Sequence, residues 1–199
     1  MIAIIKYNAG NITSVKNAVE RLGFNCTITD DEEIIRSAEK IIFPGVGEAH
    51  SAMKYLKLKK LDKLIKSANQ PLLGICLGLQ LLCKSTEEGN TSCLGVFDAT
   101  VRKFPLKDIV PHMGWNNLED INGKLFEGVS NSNDFYFVHS YYAEINGDTA
   151  AKCNYILPFS AAMQKDNFFA TQFHPEKSAS LGERILFNFL KVKLNHFCV

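Results

Sequence analysis

The first 84 residues alternate short apolar runs with stretches of helical periodicity, and this alternation restricts the fold more than any other feature of the chain. Residues 2–6 read as a strand, Ile12, Val15, Val19 and Leu22 share one face of a helix over 12–22, and residues 24–28 read as the next strand. The pattern repeats as strand 40–43, helix 49–67, strand 72–75 and helix 77–84. Parallel strands need a crossover between them, and a helix supplies it, so the repeat predicts a parallel sheet. Residues 93–165 change character. Runs at Val96 to Phe104, Phe135 to Tyr142 and Ala150 to Tyr155, separated by Asn, Gly and Asp, predict an antiparallel addition before a strand over 168–173 returns to the core. A closing helix over 180–194 carries Leu181, Ile185, Phe189 and Val192 on one stripe. The predicted class is α/β: one domain over 1–199, a mostly parallel central sheet with helices on both faces, and an antiparallel extension in the second half. Ligands in such folds bind beyond the carboxyl ends of the strands.

Three segments fall at those ends. The first is Gly74-Ile75-Cys76-Leu77-Gly78, where an apolar strand passes abruptly into a helix. A side chain on so sharp a turn has little room beside it, and glycines on either side provide that room. Unpaired amides at the start of the following helix favour a thiolate. This stretch alone fits a buried inert thiol as well as a nucleophile. The second segment ends a strand with His174-Pro175-Glu176. Proline keeps the preceding residue extended, and residues two apart on an extended chain project to the same side. His174 can then act as base toward Cys76 while Glu176 accepts its other N–H. His139 also ends a strand, but no carboxylate follows it at a spacing of two. The third segment is Pro44-Gly45-Val46-Gly47, a loop whose backbone can approach a ligand closely, and the amides of Val46 and Leu77 are candidate oxyanion donors.

The remaining composition excludes several function classes. A formal net charge of +1 with 22% charged residues offers no basic face for nucleic acid. Lys54, Lys57, Lys60, Lys63 and Lys66 lie among Leu58, Leu61 and Ile65 and read as the solvated face of one amphipathic helix. The cysteines at 26, 76, 83, 93, 153 and 198 show no C-x-x-C spacing, which fits a reduced, cytoplasmic setting. The opening apolar run is too short for a signal peptide, and no run reaches membrane-spanning length. The five histidines form no ligand cluster, so neither a metal nor a cofactor is expected.

PGVG, GICLG and QFHPE in this order resemble the triad-type class I glutamine amidotransferases. IIKYNAGNITSV, GICLGLQLL, PHMGWN at 111–116, YFVHSYY at 136–142 and QFHPEKS at 172–178 extend the likeness over essentially the whole chain, toward the glutaminase subunits of imidazole glycerol phosphate synthases. The resemblance implies that Cys76 forms a glutamyl thioester, that His174 is its base and then an acid, and that Glu176 orients His174. It implies substrate contacts by Gln80, by the backbone around His139, Ser140 and Tyr141, and by Gly45 and Gly47. It also implies a cyclase partner, a (β/α)8 barrel that takes the ammonia, forms the imidazole ring of histidine and releases an aminoimidazole carboxamide ribotide. Trp115, the only tryptophan, reads as part of a polar loop, Gly-Trp-Asn, and the resemblance puts it on the partner-facing surface with Asn11 and Lys177. One departure stands out: the family opens with Asp-Tyr-Gly-x-Gly-Asn, and this chain has Lys6-Tyr7-Asn8-Ala9-Gly10-Asn11. The same glutaminase chemistry serving a sugar-amidating synthase, or a non-catalytic scaffold that binds a partner, are the alternatives.

Overall fold

In the computed structural model, which describes residues 1–8 and 10–193, the strand–helix repeat of the first half forms along the predicted lines. Strands β1 (Ile2–Ile5), β2 (Cys26–Thr29), β3 (Lys40–Gly45) and β4 (Leu72–Cys76) are parallel neighbours in the order β2-β1-β3-β4. The helices between them are α1 (Ile12–Arg21), α2 (Glu32–Ser37), α3 (Ala49–Leu58) and α4 (Leu61–Lys66). Side-chain alternation along the strands divides the core in two. Ile2, Ile4, Ile42, Leu73 and Ile75 pack with Val15 and Val19 of α1 on one face, while Ala3, Ile5, Ile41, Phe43 and Leu72 pack with α2, α3 and α4 on the other. Strands covered on both faces are apolar throughout, which is why these runs carry no polar alternation.

After α5 (Leu77–Leu82) come the short β5 (Cys83–Thr86) and β6 (Thr91–Ser92), then β7 (Phe97–Lys103), β8 (His112–Asn117), β9 (Asp134–His139), β10 (Tyr141–Ala143), β11 (Thr149–Asn154), β12 (Pro158–Lys165) and β13 (Phe168–Thr171). Among the described residues the sheet has eleven strands: β2-β1-β3-β4-β13-β12-β10-β7-β5-β6, with β11 paired to β12. β13 is parallel to β4 and antiparallel to β12, so it joins the parallel half to the antiparallel extension. α6 (Ala179–Lys191) closes the chain, burying Ile185 and Phe189 against the α1 face.

Four expectations change. The helix over 49–67 breaks into α3 and α4 at Lys60, whose φ of 59° is left-handed. Leu56 and Leu61 lie about 140° apart on a continuous helix. The break lets both be buried and leaves Leu58 exposed. The helix over 77–84 ends at Leu82, because Cys83 is extended and starts β5. The run at 135–142 is two strands: β9 pairs with β8 in a separate ribbon, and β10 joins the main sheet. PHMGWN is therefore no polar loop; it forms β8, with His112 turned inward and Met113 and Trp115 outward. The predicted end of the closing helix at 194 and Cys198 lie outside the described residues. Among the described residues no helix is long and apolar enough to cross a membrane.

Candidate active site

Cys76 ends β4 with φ 53° and ψ −105°, and α5 starts at the next residue. Bare neighbours make this turn possible. A Cβ on Gly78 would stand 1.9 Å from the Phe43 carbonyl oxygen, and one on Gly74 would stand 2.9 Å from the Gly78 carbonyl carbon. Gly45, the register partner of Cys76 on β3, leaves space for Tyr7, whose hydroxyl lies 1.9 Å from where a Gly45 Cβ would be. Tyr7 is buried and its hydroxyl has no hydrogen-bond partner among the described residues. Burial, and then the charge of the Cys76 sulfur, push its pKa well above the usual phenol value, so it stays protonated.

The register of β13 on β4 pairs Thr171 with Ile75, so the chain leaving β13 passes beside Cys76. His174 is extended, as proline at the next position requires, and its N–H is held by the Tyr136 carbonyl at 2.9 Å. Glu176 does not continue an extended chain. Pro175–Lys177 is a 3-10 turn that swings the carboxylate back to the ring, and His174 Nδ1 lies 2.8 Å from Glu176 Oε1. The side chains of His174 and Glu176 are 1% and 0% exposed. Asn11 Nδ2 donates to the same Oε1, so this residue, expected at the partner surface, turns its amide inward. Burial works against a charged imidazole here, but the Cys76 sulfur and then Glu176 outweigh it, and the His174 pKa is raised to about 10. The arrangement can hold a sulfur anion, an imidazolium and a carboxylate in sequence.

Cys76 opens into a cavity of about 310 Å³. Its lining includes Val46, Gly47, Leu77, Gln80, His139, Ser140 and Tyr141, all singled out from the sequence; Gly45 is not part of it. Glu88, Pro111 and Val138 also line it and were not anticipated. Glu88 is the one charged side chain in this lining among the described residues, and its carboxylate accepts from Ala49 N–H at 2.8 Å. A larger depression of about 610 Å³ lies near Lys40 and Pro71, at the opposite ends of the strands, and contains neither Cys76 nor His174.

His139 is occupied elsewhere. Its Nδ1 is 2.7 Å from the Tyr141 carbonyl and its Nε2 is 3.0 Å from His112 Nδ1, while burial lowers its pKa to about 3. Gln80 Nε2 donates to the Tyr141 carbonyl at 3.1 Å and to Gln172 Oε1 at 3.0 Å; Gln172 Nε2 in turn donates to Cys76 Sγ at 3.6 Å. Gln172, His112 and Tyr7 escaped the sequence reading as contributors to the site. Strand alternation offered a signal for Gln172, two residues before His174, whereas nothing in the spacing pointed to Tyr7. On the outer side, Trp115 is 55% exposed and stands edge-on to Tyr136 at 6.0 Å, and Lys177 Nζ lies 5.7 Å above the same ring.

The family model described as glutamine amidotransferase class-I matches residues 3–192. The imidazole glycerol phosphate synthase subunit HisH of Bacteroides fragilis (strain YCH46) is 55% identical over 194 residues, which span 96% of this chain and 99% of that one. The HisH subunit of Bacteroides thetaiotaomicron is 57% identical over 192 residues, with 95% and 98% covered. A crystal structure of a glutamine amidotransferase superposes with a TM-score of 0.75 at 21% identity, covering 96% of this chain and 97% of that one, a likeness of fold. With the elbow, His174 and the cavity at the same strand ends, and with relatives alike over nearly their full length, the chain belongs to the class-I glutamine amidotransferase family, in the group of HisH subunits of imidazole glycerol phosphate synthase.

Proposed function

We propose that the whole chain, 1–199, works as one glutaminase domain that splits glutamine at Cys76 and passes the ammonia to a cyclase partner. The observation that carries this reading is Cys76 on the wall of a cavity of about 310 Å³, with the buried His174 ring electrostatically coupled to its sulfur and bonded through Nδ1 to Glu176, and with His174 Nε2 left without a hydrogen-bond partner among the described residues. The Cys76 proton moves to His174 Nε2, and the thiolate attacks the side-chain amide carbon of glutamine. Charge developing on the amide oxygen is met by the N–H groups of Val46 and Leu77, each such donor being worth about 3–4 kcal/mol to the transition state. The imidazolium returns its proton to the leaving nitrogen, the C–N bond breaks, and ammonia departs from a glutamyl thioester. Water, deprotonated by His174, then attacks the thioester, releasing glutamate and restoring the thiol. Glu88 supplies the countercharge for the substrate's ammonium, and the backbone at His139, Ser140 and Tyr141 faces the same end.

The partner is the (β/α)8 cyclase subunit, which forms imidazole glycerol phosphate and an aminoimidazole carboxamide ribotide in histidine biosynthesis. Trp115, Tyr136 and Lys177 form the surface that meets it, with Asn11 behind them on Glu176. The free thiols of Cys26, Cys76, Cys83, Cys93 and Cys153 suit the cytoplasm. The test is Cys76→Ala in the complex: glutamine-dependent turnover is lost and ammonia-dependent turnover persists. Glutaminase activity surviving in that variant refutes the chemistry, and failure of the chain to co-purify with the cyclase refutes the partner.

A further inference from the structure

Two histidines and two glutamines left out of the proton transfers above form one continuous hydrogen-bonded chain from the β8–β9 ribbon to the Cys76 sulfur. Its direction follows from a single backbone carbonyl. The Tyr141 oxygen can only accept, and it receives His139 Nδ1 at 2.7 Å and Gln80 Nε2 at 3.1 Å. On one side His139 therefore carries its proton on Nδ1, leaving Nε2 as an acceptor. His112 Nδ1, 3.0 Å away, must donate to it, and His112 Nε2 in turn accepts from Asn116 Nδ2 at 3.3 Å. On the other side the Gln80 amide nitrogen is fixed and also donates to Gln172 Oε1 at 3.0 Å, which leaves Gln172 Nε2 pointing at Cys76 Sγ, 3.6 Å away.

We propose that Gln172 is a positioning residue for the Cys76 sulfur, held in its donating orientation by Gln80, whose own amide takes its direction from the Tyr141 carbonyl. The proposal rests on Cys76 being the nucleophile. The thiol's own acceptor is the Val138 carbonyl at 3.9 Å, a contact that vanishes on ionisation, whereas the Gln172 N–H strengthens as the sulfur gains charge. Gln172 cannot turn its amide over without setting its N–H against that of Gln80, and Gln80 cannot turn without setting an oxygen against the Tyr141 carbonyl. His112 is clamped between Phe137, stacked at 4.8 Å, and Tyr155, stacked at 4.1 Å. The same strand carries Met113 and Trp115 on its outer side, so the ribbon that presents the surface assigned to the partner is tied inward to the nucleophile. Titratable groups facing Cys76 or its cavity are Tyr7, from just beyond β1, Glu88 and Tyr141 in the cavity lining, His139 at the end of β9, and the His174–Glu176 pair after β13; Gln172→Met leaves all of them in place.

The test has two arms. In the full chain with glutamine labelled with 15N at the side-chain amide, NMR spectra should show the Gln172 Nε2–H signals move when Cys76 is capped with iodoacetamide; unmoved signals overturn the proposal, whether or not Cys76 is the nucleophile. In the complex with the cyclase, Gln172→Met removes the donor at matched length. The pH midpoint for alkylation of Cys76 by iodoacetamide should rise by about one unit, about tenfold less thiolate at a given pH below it, and kcat for glutamine should fall while KM holds. An unchanged midpoint overturns the proposal. Should Gln172→Met not fold, the Gln172 amide signals of the unaltered chain still decide it. Cys76→Ala retaining glutaminase activity would instead remove the reading beneath.

Discussion

Replacing Gly78 with alanine tests how closely the elbow and the proposed oxyanion loop, Pro44 to Gly47, depend on one another. The added Cβ would fall 1.9 Å from the Phe43 carbonyl oxygen and 3.1 Å from its carbon, both backbone atoms that cannot rotate away. Real Cβ contacts stay beyond 3.0 Å, so α5 and β3 must part by about 1 Å. Overpacking of this kind costs about 1–3 kcal/mol, and the better helix propensity of alanine returns up to about 1. Taking a central net cost of about 1.5 kcal/mol, at about 2–4 °C per kcal/mol for a chain of this size, the melting temperature should drop by roughly 3–6 °C. The kinetic effect should be larger. Phe43 is three residues before Val46, so the same displacement moves the proposed oxyanion donor relative to Cys76, and misplacement by about 1 Å can cost about a hundredfold in rate. Glutamine-dependent turnover of the complex should fall by that amount, with ammonia-dependent turnover intact. Gly147→Ala is the control: its Cβ would meet nothing within 4 Å, and both readouts should stay at wild-type values. If Gly78→Ala kept wild-type kcat and melting temperature, the close-approach argument would be wrong.

Asn11→Ala takes one donor from the buried Glu176 carboxylate and should lower kcat for glutamine about tenfold with KM unchanged in steady-state assays; an unchanged kcat would mean that His174 alone holds Glu176. Glu88→Gln keeps an oxygen for Ala49 N–H but removes the cavity's charge, so KM for glutamine should rise about tenfold and kcat should persist, and a KM that does not move refutes the countercharge role. Burial lowers the pKa of His112 to about 4 and of His139 to about 3, so both are neutral in the fold and gain protons only on unfolding. Their contribution is complete above the ordinary histidine value of about 6.5 and is lost as pH falls toward 4, at most about 1.4 kcal/mol per pH unit for each. Urea midpoints at pH 7 and 5.5 should show this loss, and His112→Phe should reduce it; equal losses in the two proteins refute the assignment.

What could be read in advance follows from how local each cause is. The strand–helix repeat of the first half is encoded in apolar spacing, and Gly74 and Gly78 announce a crowded turn because only close approach demands a missing side chain on both sides. Pro175 fixes His174 as extended, a constraint on one residue, but it also starts the 3-10 turn, so Glu176 reaches the ring by a path that strand alternation does not describe. β8 was hidden because its outward residues are polar or exposed and its pairing with β9 is not visible in either segment alone. Asn11, Tyr7 and Gln172 acquire their partners from β1, β3 and β13 meeting at one end of the sheet. Such meetings depend on register, which spacing within a segment does not carry.

The central place of β13 also sets when the chain can become an enzyme. While it emerges from the ribosome, β1 to β4 can pair and shape the elbow, but β4 remains an open edge until residues 168–171 arrive to fill it. At about 5–20 residues per second, that edge and the bare thiol beside it wait roughly 5–20 s for their neighbour. The nascent chain thus carries Cys76 without His174 through about half of its synthesis, and the strand that ends the exposure of the edge is the one that delivers His174.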